Sequence, residues 1–276
     1  MTGRWTLCRL GAAALAVCVA FATVAEAQSA KPKARTTAKA STGMTMAVRP
    51  DLDPRVAHEA WVVISKIEYR EGIPVGLLHA MSLVETGKGQ EGKYLLPWPY
   101  TVNVNGGLAK DYPSSADALA QLDKLRALGF DRFDVTVDRV ARAGLTGAAA
   151  ENFLTGMEGA KYTLRARPYA KSFQSKDQGA AFVQGLLDKG YENIDIGLMQ
   201  VNWKYHGKEF ESVADAFDPY KNVSYAVTYL REHRKTRDWW GSVGRYHSAT
   251  GELAKRYVTN VWGMYKRVHR LKPSST

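Results

Sequence analysis

Ile194-Asp195-Ile196-Gly197-Leu198-Met199-Gln200-Val201 is an apolar run with a primary amide set into it. Apolar side chains in such a run leave water together, and a Gln among them must find polar partners or forfeit its hydrogen bonds. Gln200 therefore points at something polar. A second cue lies far upstream, where Pro74-Val75-Gly76-Leu77-Leu78-His79-Ala80-Met81-Ser82-Leu83-Val84-Glu85-Thr86-Gly87 reads as an apolar helix ending on a single carboxylate.

Outward from these two stretches the chain is mostly helical. From Asp53 onward Val56, Ala60, Val63, Ile64 and Ile67 recur at spacings of three and four, with Asp53-Pro54 as cap and first-turn signal. The next helix starts at Pro74, buries Leu77, Leu78, Met81 and Val84, and is stopped by Gly87. Downstream, Asp218-Pro219 opens a helix with Val223, Ala226, Val227 and Leu230 on one face. Trp239-Trp240 to His247 is a shorter helix, and Leu253, Tyr257, Val261, Met264, Tyr265 and Val268 mark a last one.

Between Trp98 and Ile196 the texture differs. Tyr100-Thr101-Val102-Asn103-Val104-Asn105-Gly106-Gly107 reads as a strand running into a turn. The segment also resembles itself without a gap: Tyr112 to Val135 aligns on Phe173 to Ile196, pairing Leu122 with Val183, Leu125 with Leu186 and Gly129 with Gly190. Each copy reads as a helix and a short strand. Internal duplication and chance likeness of two amphipathic segments both stay open. The whole is mainly α, with an inserted small α/β lobe over 97–196.

The first residues carry Arg4 and Arg9, an apolar run from Leu10 to Val24, and Ala25-Glu26-Ala27, the pattern of a cleaved secretory signal. We expect 1–27 to be that signal, 28–50 to be a flexible linker too poor in large apolar side chains to order itself, and 51–276 to be one domain. Both cysteines, Cys8 and Cys18, fall in the signal, so the mature chain needs no thiol chemistry. Val17 before Cys18 argues against a lipidation site. The full chain has a formal charge of +11, about +10 after signal removal. This balance favours an anionic surface such as lipid headgroups or an acidic cell wall, and export makes nucleic acid the least fitting partner.

Glu85 is the leading candidate for a general acid. It stands in the last turn of its helix, where the carbonyl end of the dipole pushes a carboxyl pKa upward by the equivalent of about 0.3 to 1 kcal/mol. Raising Glu from about 4.3 to about 6.5 needs roughly 3 kcal/mol, so burial in a cleft must supply the rest. From position alone, a solvated Glu at a helix end is the competing reading.

Glu85-Thr86 closing an apolar helix, then Gly197-Leu198-Met199-Gln200, Asn222 with Ala226 and Tyr229-Leu230, and Arg245-Tyr246-His247-Ser248-Ala249 resemble, in that order, the SLT-type, goose-lysozyme-like lytic transglycosylases. The likeness spans roughly residues 55 to 268. It implies a lysozyme-like (SLT) fold. It also implies that Glu85 protonates the glycosidic oxygen between N-acetylmuramic acid and N-acetylglucosamine, then acts as base toward the muramoyl 6-hydroxyl to close a 1,6-anhydro ring. By the same resemblance Gln200 binds the acetamido group, Tyr246 places its hydroxyl near the cleaved bond, and Thr86, Met199 and Tyr257 join the substrate site. The substrate is peptidoglycan glycan strands, the compartment is the periplasm, and neither cofactor nor metal is implied. Asp195 to Asn202 further resemble the specialised members that serve envelope-spanning secretion or conjugation complexes. Thr86 stands where the family usually has Ser, and His247 where it has Asn.

Two other readings compete. A hydrolytic muramidase on the same scaffold would use a second carboxylate, with Asp195 the one to watch; a wall-binding module would bind without cleaving. The long segment between Glu85 and Gln200 is expected to flank the cleft and to offer Trp98, Tyr100, Tyr112 and Tyr162 to sugar rings, against the plainer reading that these aromatics are core. Several signals fail on context. Gly87-Lys88-Gly89-Gln90-Glu91-Gly92 matches G-x-G-x-x-G but follows a helix. No two of the six histidines stand at metal-helix spacing, and no G-x-S-x-G elbow occurs. The basic run Lys266 to Lys272 fits a helix end favoured by its dipole.

Overall fold

The computed structural model describes residues 52–90 and 94–270. The expected signal 1–27, the linker 28–50 and both cysteines lie outside the described residues. Helix α1 (Pro54–Glu71) begins where Asp53 accepts the Arg55 backbone N–H and Pro54 occupies the first turn, and ends at Gly72, whose φ of 60° closes the helix in the left-handed region. It buries Ala57, Ala60, Ile64, Ile67 and also Glu68.

Glu68 is a buried carboxylate with a structural task. It accepts the backbone N–H groups of Gly76 at 2.7 Å, Leu78 at 2.7 Å and His79 at 3.3 Å, and His79 Nδ1 at 3.1 Å. Three of these are amide donors at the start of helix α2 (Leu77–Thr86), where the dipole favours negative charge. The helix thus starts three residues later than Pro74 suggests, because Pro74 to Gly76 form the turn that Glu68 clamps. Gly87 does end it, although with φ −55° and not in the left-handed conformation. A Cβ there would lie 2.4 Å from the Leu83 carbonyl oxygen, so glycine is needed for room.

A hairpin of β1 (Gly87–Gln90) and β2 (Tyr94–Pro97) leads into the lobe. The lobe holds two four-stranded antiparallel sheets. In the first, β3 (Thr101–Val104) lies between β8 (Tyr169–Ser172) and β9 (Ile194–Ile196), and β9 pairs with the short β10 (Val201–Asn202). In the second, β7 (Tyr162–Ala166) lies between β4 (Lys110–Tyr112) and β5 (Arg132–Val137), and β6 (Val140–Thr146) forms an edge. Helices α3 (Ser115–Ala127), α4 (Gly147–Thr155) and α5 (Lys176–Leu187) are capped by Ser114, Thr146 and Ser175. The self-similarity of the sequence maps α3–β5 onto α5–β9, and the sheets correspond too: β4 and β5 flank β7 as β8 and β9 flank β3.

The lobe core, centred on Val102, Leu122, Phe133, Leu164, Val183 and Ile196, reaches beyond residue 196 to take in Val213, Ala216 and Phe217. Those three come from the chain around α7 (Val213–Ala216), which follows the single-turn α6 (Trp203–His206). The second core belongs to the helices: α1 and α2 pack with α8 (Pro219–Arg234), α9 (Trp239–His247) and α10 (Gly251–Arg270) around Ile64, Met81, Val223, Leu230, Val243 and Val261. Leu198 and Met199 sit in this helical core, so the chain passes from one core to the other between Ile196 and Leu198. No described helix is long and apolar enough to cross a membrane.

Candidate active site

The hairpin turn between β9 and β10 carries the site. Gly197 takes φ 81°, and a Cβ there would meet Asn222 Nδ2 at 2.5 Å and the Ala216 carbonyl at 2.8 Å, so only glycine fits. The fully buried Asn222 fastens the turn: it accepts the Met199 N–H at 2.9 Å and donates to the carbonyls of Ile196 at 3.0 Å and Ala216 at 2.9 Å. Gln200 closes the turn with φ 47°. Its Nε2 donates to the carbonyls of Gly197 at 2.8 Å and Thr101 at 3.2 Å. The polar partner foreseen for Gln200 is therefore first its own hairpin, and Oε1, an acceptor, remains for a ligand.

Gln200 lines a cleft of about 420 Å³ together with Glu85, Asp195, Asn202, Tyr246 and His247. Glu85, in the last turn of α2, is only partly exposed. Burial lifts its pKa from 4.5 to about 7; the Tyr257 hydroxyl opposes the rise and the negative charge of Asp195 adds to it. Desolvation is thus the leading cause, as the sequence argument required. Tyr257 is 4% exposed, and its hydroxyl acts on Glu85 without completing a hydrogen bond of good geometry. The His247 ring stacks on Tyr257 at 4.4 Å and 3°. Burial holds the His247 pKa below its ordinary value, against the pull of Asp195.

Tyr246 donates its hydroxyl proton to the Met199 carbonyl at 2.7 Å, which leaves oxygen lone pairs for the cleft. Burial, and then the charge of Glu85, push its pKa far above the usual phenol value. Met199 itself is fully buried. Its side chain packs in the helical core, so its contribution to the site is the backbone carbonyl and not the substrate contact expected from sequence. Thr86 is corrected in the same way. It is 1% exposed, donates to the Ser82 carbonyl at 3.0 Å and accepts the Trp98 N–H at 3.3 Å, tying the end of α2 to the entry of the lobe.

Asp195 projects into the cleft from β9, flanked in register by Asn103 on β3 and Asn202 on β10. Its carboxylate accepts amide N–H groups from Asn103 at 3.0 Å, Asn105 at 2.8 Å and Asn202 at 2.7 Å. Both of its oxygens are thereby engaged as acceptors. The equivalent position in the other sheet, Asp134, is instead paired with Arg167 at 2.7 Å and turned from the cleft. Asn103 and Asn105 escaped the sequence reading as site residues; their i, i+2 spacing on a strand was the available signal.

The lobe aromatics do not line the cleft. Trp98 and Tyr162 are buried, and Tyr100 and Tyr112 pack partly buried against the lobe core, so the offered sugar platform is corrected to core. The aromatic wall comes from the helical side. Tyr225 and Tyr229 stack at 9°, and the Tyr225 hydroxyl bonds His206 Nδ1 at 2.7 Å. Among the described residues no three His, Cys, Asp or Glu side chains are grouped as a metal site.

Residues 165–263 match the family model of the transglycosylase SLT domain. The chain carries an SLT transglycosylase domain. The matched span of this SLT domain holds Asp195, Gln200, Asn222, Tyr246 and Tyr257, while Glu85 precedes it. Its fold is the lysozyme-like one, mainly helical with a small α/β lobe. No curated protein and no solved structure matches the chain.

Proposed function

We propose that the chain is a peptidoglycan lytic transglycosylase with Glu85 as its one acid and base. The observation that carries this reading is the Glu85 carboxyl in the cleft at a pKa of about 7, which lets it hold a proton or release one near neutrality. Protonated Glu85 donates to the glycosidic oxygen as the bond from the muramoyl C1 breaks. The carboxylate so formed then takes the proton of the muramoyl 6-hydroxyl as O6 bonds to C1, which returns Glu85 to its acid form and consumes no water. The negative Asp195, held by its three amides, faces the positive charge that develops on the sugar. Gln200 Oε1 is suited to accept an acetamido N–H.

Residues 51–276 act as one domain with 97–196 as an inserted lobe that lends Asn105 and Asp195 to the cleft wall. Peptidoglycan strands in the periplasm are the substrate, and the resemblance over 195–202 makes an envelope-spanning secretion or conjugation complex the partner to test. A hydrolytic muramidase is the second reading, favoured by Asp195, a second carboxylate lining the same cleft, which would steady an attacking water or a glycosyl intermediate.

Mass spectrometry of fragments released from purified peptidoglycan, run beside Glu85→Gln, decides between them. Products lighter by one water and absent with the variant support the transglycosylase. Reducing-end products establish hydrolysis, and binding without Glu85-dependent release leaves a wall-binding module.

A further inference from the structure

Six arginines among the described residues, Arg139, Arg165, Arg245, Arg256, Arg267 and Arg270, have neither a carboxylate nor a hydrogen-bond acceptor as partner. Five are exposed, where water solvates them at little cost. Arg245 is the exception: it is partly buried and lines the cleft. A guanidinium that lines a cleft and has no acceptor of its own is available to anionic oxygens of a ligand.

The carboxylates of the same cleft do not pair with Arg245. Asp195 is held by three amides and makes no ion pair among the described residues, and Glu85 faces Tyr257. Arg245 lies instead toward His233, whose pKa it helps to depress, on the side where Tyr229 and His206 form the wall. A ligand seated on Glu85 and running along that wall brings its neighbouring groups to the guanidinium.

We propose that Arg245 is a specificity residue that recognises a carboxylate on the glycan, so that the cleft selects carboxylate-bearing strands over neutral ones. The proposal rests on the saccharide reading of the cleft given above. Two sources in peptidoglycan present this chemistry, the peptide stem and, where the stem is absent, the lactyl group of the muramoyl ring. The planar fork of arginine suits either, through two parallel N–H donors.

The test is equilibrium binding with Glu85→Gln as the background, so that no ligand is consumed, comparing Arg245 with Arg245→Gln and Arg245→Lys. The probes are stem-bearing strands, strands stripped of stems by an amidase, and chitooligosaccharide, which has no carboxylate. Arg245→Gln is expected to weaken binding of a carboxylate-bearing strand about tenfold or more and to leave chitooligosaccharide unchanged, with Arg245→Lys between. Which of the two strands loses affinity identifies the source. Equal weakening of all three probes, or of none, overturns the proposal. Failure of the transglycosylase reading shows separately, as missing Glu85-dependent products while glycan binding persists; no binding to any glycan overturns both.

Discussion

Glu85→Gln should make the protein more stable, and only above mildly acidic pH. In the unfolded chain the Glu85 carboxyl titrates near 4.5, whereas in the folded protein it titrates at about 7. Between these values the folded state binds more protons than the unfolded state, so stability falls as pH rises through that window and is level above it. A shift from 4.5 to about 7 corresponds to about 3 kcal/mol at ~1.4 kcal/mol per unit, an upper figure because the carboxyl keeps some contact with solvent. Glutamine does not titrate. The variant should therefore match the wild type at pH 4 and gain on it by about 2–3 kcal/mol at pH 8, a rise of roughly 5–10 °C in Tm for a domain of this size. Urea unfolding followed by tryptophan fluorescence at pH 4, 6 and 8 gives the difference directly. A difference that stays flat across this range would refute the claim that burial holds Glu85 in its acid form.

Two other perturbations probe the network around it. Asp195→Asn removes the negative charge that helps raise the Glu85 pKa, so the alkaline limb of the pH profile of kcat/KM should move to lower pH; an unmoved limb would mean that the two carboxyls are not coupled. Asn222→Ala leaves the Met199 N–H and the Ile196 and Ala216 carbonyls unpaired in the core. At about 1–3 kcal/mol for each unpaired group, a loss of about 3–5 kcal/mol is expected in denaturant unfolding, and a loss below about 1 kcal/mol would show that other contacts hold the turn.

The helices were legible because their signals are local. Asp53-Pro54 and Asp218-Pro219 cap α1 and α8 where the sequence places them, and the stripe Val223, Ala226, Val227, Leu230 is buried as its spacing requires. The start of α2 was misplaced because Glu68, whose carboxylate clamps the turn, belongs to the preceding helix. In the lobe, α3–β5 and α5–β9 were visible as two like segments, but β6, β7 and β8 were not. Exposed, arginine-bearing strands such as Val140–Thr146 lack the apolar alternation that marks a half-buried strand.

By itself the sequence marked the candidate residues: a carboxylate ending an apolar helix, an amide in a glycine-led turn, and tyrosines on late helices. Tertiary structure alone decided which of them face the cleft. Thr86 and Met199 stand beside Glu85 and Gln200 in the chain, yet both turn into cores, whereas Asn103 and Asn105 arrive from far upstream to hold Asp195. Helix caps and apolar periodicity act within a few residues and so are written locally. The strand register that sets Asn103 against Asp195, and the burial that lifts Glu85 to about 7, depend on segments that meet only once the chain has folded.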